Sequence, residues 1–297
     1  MEKYLKYIVG VSAVILIVVA VYMIFIFDDV AKYTSEGEYI NLTYNYNGIS
    51  REYILYLPEG VYKDSPLVFV FHGYTSTAEN IKSYANLKDL ADENDFVVCY
   101  PQGIEDDYGM NHWNANLAMS EVDDVGFIVE LVGFLEETYK LDESRTFTTG
   151  MSNGGFMSYA LAMDAADTFE AMASVSGLMS YEVWDSREKA IPIPVLHFHG
   201  TADKIVPIDG SMSILGGWGG APAVPEMIAF WADVDACENL EEIVIDENTT
   251  AYYYTSDDSD RAVWYYETQG FGHEWPIKGV NASFNATDVI WEFFSQY

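Results

Sequence analysis

The chain has 297 residues, 47 Asp and Glu against 14 Lys and Arg, a formal net charge of −33, and two cysteines. Half of it is apolar and 15% aromatic, which excludes general intrinsic disorder and leaves material for a sizeable core. The acidity excludes a protein built to grip nucleic-acid backbones, and two cysteines exclude a disulfide scaffold.

Tyr7 to Phe27 is a run of 21 residues without a charged side chain. As a helix it would span ~30 Å, the thickness of a bilayer hydrocarbon core. Lys3 and Lys6 precede it and Asp28 and Asp29 follow it, so the positive-inside tendency sets the start of the chain in the cytoplasm and the remainder outside. The competing reading is a cleaved signal peptide, but Met23-Ile24-Phe25-Ile26-Phe27 is bulky where cleavage needs small residues. The expected organisation is a cytoplasmic stub and transmembrane anchor over 1–29 and one folded domain over 30–297, with a membrane contact through 7–27. Sequons at Asn41, Asn248, Asn281 and Asn285 fit an exterior location, each being a weak signal alone. Cys99 and Cys237 allow one extracellular bridge; Cys99 also reads as a small buried hydrophobe in an apolar run.

Two alternating runs separated by Asn47-Gly48, near 37–57, predict a β-hairpin. Short apolar runs then begin at Leu67, Phe96, Thr146, Ala171 and Val195. Between them, 77–93, 122–139 and 153–166 have apolar residues at helical spacing, as in Val125, Phe127, Ile128, Leu131 and Val132. This alternation predicts a mainly parallel sheet flanked by helices. A strand at Ala262 and a helix at 288–294 end the series. Asp123 and Asp124 read as helix-start residues matching the dipole. Gly216-Gly217-Trp218-Gly219-Gly220 reads as an irregular loop.

Gly150-Met151-Ser152-Asn153-Gly154 lies between a predicted strand and helix. Flanking glycines permit the tight turn that lifts a serine hydroxyl above the sheet edge. A serine nucleophile needs a base and an acid that orients the base. His199-Gly-Thr-Ala-Asp203 supplies a carboxylate 51 residues on, and Gly270-Phe-Gly-His273 an imidazole 70 residues beyond that, each in a loop after a strand. The order Ser, Asp, His is that of the α/β-hydrolase fold. Tyr74, after the third strand, and Asn153, after the nucleophile, are the expected backbone N–H donors of an oxyanion hole. Trp113 and Asn114 are pocket-lining or packing residues, both readings being open. His72, His112 and His197 read as structural, and without a His-Glu-x-x-His motif or close Cys/His cluster no metal or organic cofactor is implied.

His72-Gly73-Tyr74, Tyr100-Pro-Gln-Gly, Trp113-Asn114, Asp123-Asp-Val-Gly-Phe-Ile, the Ser152 block, His199-Gly-Thr-Ala-Asp203-Lys-Ile-Val-Pro and Gly272-His273-Glu-Trp-Pro together resemble the polyhydroxybutyrate-depolymerase-like esterases, a group similar to feruloyl and acetylxylan esterases. The resemblance runs from about residue 50 to the end. It implies Ser152 as nucleophile, Asp203 as orienting acid and His273 as base, acting on a small-molecule or polymer ester. A serine peptidase of the same fold and a non-catalytic surface binding protein on a hydrolase scaffold are the alternatives.

Overall fold

The computed structural model describes residues 37–59 and 63–297. The expected membrane segment, 7–27, lies outside the described residues. Among those residues no helix is long and apolar enough to cross a membrane.

The first hairpin is β1 (Tyr39–Tyr46) and β2 (Ile49–Tyr56), antiparallel, with Tyr46 facing Ile49. Its turn has both central residues at positive φ, 50° at Asn47 and 83° at Gly48, the mirror-image turn that suits twisted strands. The remaining strands are β3 (Leu67–Phe71), β4 (Val97–Pro101), the two-residue β5 (Ile104–Glu105) and β6 (Asn111–His112), β7 (Thr146–Met151), β8 (Ala171–Val175), β9 (Val195–Gly200), β10 (Asn239–Val244), β11 (Thr249–Thr255) and β12 (Ala262–Thr268).

Among the described residues ten strands form one sheet, in the order β1-β2-β4-β3-β7-β8-β9-β12-β11-β10. Its centre, β4 to β12, is parallel, and antiparallel strands extend both sides. Alternation along β3 divides the core: Leu67, Phe69 and Phe71 face one layer, Val68 and Val70 the other. The first layer is closed by α3 (Asp124–Tyr139), α4 (Asn153–Asp164) and α6 (Val224–Val234). The second is closed by α1 (Ala78–Tyr84), α2 (Lys88–Asn94) and α7 (Ala286–Phe294). A short α5 spans Tyr181–Asp185.

The expected helix over 77–93 is two helices. The Asn86 side chain accepts the Lys88 N–H at 3.0 Å, and the Leu87 N–H goes to the Tyr100 hydroxyl at 3.3 Å, so the helical ladder breaks there. Asp123 caps α3 through the Gly126 N–H at 2.8 Å. Asp124 does more than match a dipole: it is buried, paired with Arg51 at 2.6 Å, and accepts the Asn114 N–H at 2.7 Å. Cys99 and Cys237 are free thiols, so the bridge reading does not hold.

Candidate active site

Ser152 stands between β7 and α4 at φ 55°, ψ −121°. Its N–H bonds to Val175 O at 2.8 Å, and its carbonyl receives the Phe156 N–H at 2.9 Å. The turn is tight because β3 runs directly beneath it. A Cβ on Gly150 would lie 2.5 Å from the Gly154 carbonyl carbon, and one on Gly154 would lie 2.1 Å from Phe71 O. Only glycine satisfies either position.

Tyr74, one of the two expected oxyanion donors, follows the end of β3. A Cβ on Gly73 would lie 3.5 Å from the Ser152 Cβ, so the β3 loop runs against the serine. The Thr75 and Ser76 N–H groups are occupied by Asn111 O (2.8 Å) and Gly73 O (3.1 Å). Asn153 opens α4, where an N–H has no acceptor inside the helix. His72 locks this loop. Its Nε2 accepts the Gly103 N–H at 2.9 Å, so Nδ1 carries the proton and donates to Gly73 O at 2.8 Å. Burial pushes its pKa down to about 4, which keeps it neutral.

The carboxylate and imidazole are brought together by two loops joined backbone to backbone. Thr201 N–H bonds to Thr268 O at 3.0 Å and Ala202 N–H to Phe271 O at 2.9 Å. His273 Nδ1–H then donates to Asp203 Oδ2 at 2.7 Å, while Asp203 Oδ1 accepts the Ile205 and Val206 N–H groups, both at 2.8 Å. Burial pushes the Asp203 carboxyl up, but the bond from His273 and those two amides outweigh it and hold the group below its ordinary value. With Nδ1 donating, His273 Nε2 is the nitrogen free to accept a proton. No hydrogen bond joins Ser152 to His273 in this geometry; such contacts commonly tighten only when substrate binds.

His197 and His199 belong to a buried one-way chain. His199 Nε2–H donates to Val206 O (2.8 Å), leaving Nδ1 to accept from His197 Nε2–H (3.1 Å) and His197 Nδ1 to accept the Tyr159 hydroxyl (3.0 Å). The chain ends on the residue whose N–H holds Asp203. His112 is likewise structural, bonded to Ile104 O and the Ser120 hydroxyl.

Of the two open readings of Trp113 and Asn114, packing is the one their contacts favour. Trp113 is fully buried, edge-on to Phe71 with ring centroids 5.1 Å apart, and its backbone is clamped by the Asn153 side chain through bonds of 2.7 and 2.9 Å. Asn114 braces its own loop through Val122 O and the Leu117 N–H. Two contacts escaped the sequence reading. The Tyr74 hydroxyl is tied to Asp106 at 2.7 Å, and Trp218 lies edge-on to Tyr74 with ring centroids 5.5 Å apart. Trp218 was visible only as an aromatic inside a glycine loop.

A parallel sheet with a serine on a strand-to-helix elbow, followed by an Asp–His pair on later strand ends, defines an α/β hydrolase. Residues 51–242 match the Esterase PHB depolymerase family, and the chain belongs to it. It is 26% identical to a bifunctional acetylxylan esterase/xylanase of Neocallimastix patriciarum, over 84% of this chain and 34% of that protein. It is 27% identical to a probable feruloyl esterase C of Aspergillus terreus, over 84% and 85% of the two chains. An acetyl xylan esterase structure from Aspergillus awamori shares the fold at TM-score 0.64 and 18% identity, covering 88% of this chain and 100% of that one. The match spans 34% of the first of these relatives and 64% of a feruloyl esterase C of Emericella nidulans, less than two thirds of either protein's length.

Proposed function

We propose that the chain is a serine carboxylic-ester hydrolase working through an acyl-enzyme. The observation that carries this reading is the 2.7 Å bond from His273 Nδ1–H to a buried Asp203, on the same sheet edge as the Ser152 elbow. In the proposed reaction Ser152 Oγ attacks the ester carbonyl as His273 Nε2 takes its proton, and the developing imidazolium is stabilised by Asp203. The Tyr74 and Asn153 N–H groups receive the oxyanion. The proton passes from His273 to the departing alcohol. Water, activated by the same imidazole, then releases the acid.

Acylated carbohydrate or polyester is the proposed substrate class, supported by the acetylxylan and feruloyl esterases among the relatives. The proposal also sets the domain outside the cell, tethered through Tyr7–Phe27. Support comes from that uncharged run and from the exposure of Asn41 and Asn248. The Asn281 and Asn285 amides are instead committed to internal bonds.

The test is hydrolysis of acetyl-sugar, feruloyl-sugar, hydroxybutyrate-oligomer and peptide substrates by the wild type and Ser152→Ala. Ester turnover in the wild type, reduced at least about 10³-fold in the folded variant, is expected. Retention within about tenfold, or turnover of peptides alone, contradicts the proposal.

A further inference from the structure

Trp218 sits in Gly216-Gly217-Trp218-Gly219-Gly220, where the four glycines have φ of 67°, 84°, 72° and 88°. These values lie in the left-handed region that disfavours other residues, so the loop is shaped to present one large side chain. That side chain meets Tyr74 and Phe156. Its ring is 5.5 Å from Tyr74 and 5.9 Å from Phe156, edge-on to both. Tyr74 follows Gly73, which lies against Ser152, and Phe156 is one helical turn from Ser152 with its N–H on the serine carbonyl.

Beside the indole, which is part of its wall, is a groove of about 460 Å³ formed by residues 116–118, 180–188 and 217–219, with the carboxylates of Glu182, Asp185 and Glu188 in its lining. The loops that form it are tied together. Ala118 N–H bonds to Gly217 O at 2.9 Å, Tyr181 N–H to Gly220 O at 3.1 Å, and the Ser180 hydroxyl to Asn116 O at 3.1 Å. Trp218 therefore both touches Tyr74 and Phe156, beside the Ser152 elbow, and forms part of the wall of this groove. A substrate group that grows in this direction meets the indole before it reaches the groove.

We propose that Trp218 is a specificity-determining residue, the partition that limits the size of the ester group on its side of Ser152. Small groups fit in front of it, and long ones are refused until the partition is removed. This rests on the reading of Ser152 as the nucleophile.

The experiment compares wild type, Trp218→Ala, Trp218→Leu and Trp218→Phe on two ester series. One varies the acyl group from acetate to octanoate with p-nitrophenol as the leaving group; the other varies the alcohol from methanol to octanol with acetate fixed. In Trp218→Ala the long-to-short ratio of kcat/KM rises about tenfold or more in one series, through KM, with Leu between Ala and wild type and Phe near wild type. Should the Ala protein not fold, the Leu and Phe ratios decide. A Leu ratio above about threefold that of wild type supports the partition, and anything smaller overturns it. Loss of packing alone would depress all esters together and leave the ratios flat, which also overturns it. A fluorophosphonate probe separates the layers of the argument. Labelling of Ser152 with flat ratios removes only the partition, whereas a wild type that neither labels nor hydrolyses removes the underlying reading as well.

Discussion

Ser152 holds a backbone conformation that side-chain-bearing residues rarely adopt, and such strain costs about 1–3 kcal/mol. The Phe71 carbonyl at the end of β3 lies so close to the elbow that Gly150 and Gly154 cannot carry a side chain, so the turn at Ser152 is a tight one. Asp203 is the opposite case, a residue held by three good hydrogen bonds. Asp209, the neighbouring carboxylate, spends its oxygen on the N–H and hydroxyl of Ser211 in its own loop. Asp203→Asn should therefore preserve the fold and lower ester turnover by about 10³–10⁴-fold, while Asp209→Asn should leave it within about twofold. Initial rates with circular dichroism as the folding check measure this, and the reverse ranking transfers the orienting role to Asp209. Ser152, Asp203 and His273 were legible as candidates because each lies in a short motif whose local chemistry is distinctive. Trp113 was not, because whether a loop aromatic faces solvent or core depends on distant partners, here Asn153 and Phe71.

Among elements, the Asn47-Gly48 hairpin and the six central strands followed directly from turn chemistry and short strand-like runs. The β10–β11 extension did not, because β10 is exposed at every position and has the look of a solvated loop. Its Glu241 and Glu242 mark it as an edge strand protected by charge. Helix α6 was not legible either, although Val224, Met227, Ile228 and Trp231 are buried at helical spacing, because it follows directly on a glycine- and proline-containing stretch that has the pattern of a loop. At its end lies a further consequence of burial. Asp235 is buried at the helix C-terminus, and neither carboxylate oxygen has a hydrogen-bond partner among the described residues. Burial pushes its pKa up to about 7, against partial pulls from Arg261 and from the Ile193 backbone amide, which approaches the carboxylate without meeting hydrogen-bond geometry. An unfolded aspartate titrates near ~3.9, so between that pH and about 7 the native chain holds a proton that the unfolded chain releases. Stability contributed by this site therefore falls as pH rises through that window. Asp235→Asn should raise Tm by a few degrees at pH 8 and change it little at pH 4, as thermal denaturation at both values would measure. A lower Tm at both would show that the carboxylate has a stabilising partner.

At the scale of the whole molecule, the sheet does the positioning. Serine, aspartate, histidine and both oxyanion candidates leave strand ends on one edge of the parallel core, which is where a fold of this class gathers loops from distant stretches of sequence. The order and spacing of the motifs made this edge legible, because strand-loop-helix alternation fixes which ends of the strands share a side. The partition at Trp218 was not legible, since it depends on how loops from residues 116–118, 180–181 and 216–220 meet. A net charge of −33 keeps the surface solvated and says little about the reaction itself. The central claim is that Ser152 is the nucleophile of an ester hydrolase. Its most direct test is the reaction of the full chain with a fluorophosphonate, followed by mass spectrometry of the digested protein. The account predicts one adduct per chain, on Ser152, formed in step with loss of ester hydrolysis and absent from Ser152→Ala. An adduct on another residue, or hydrolysis that survives complete labelling of Ser152, would contradict it.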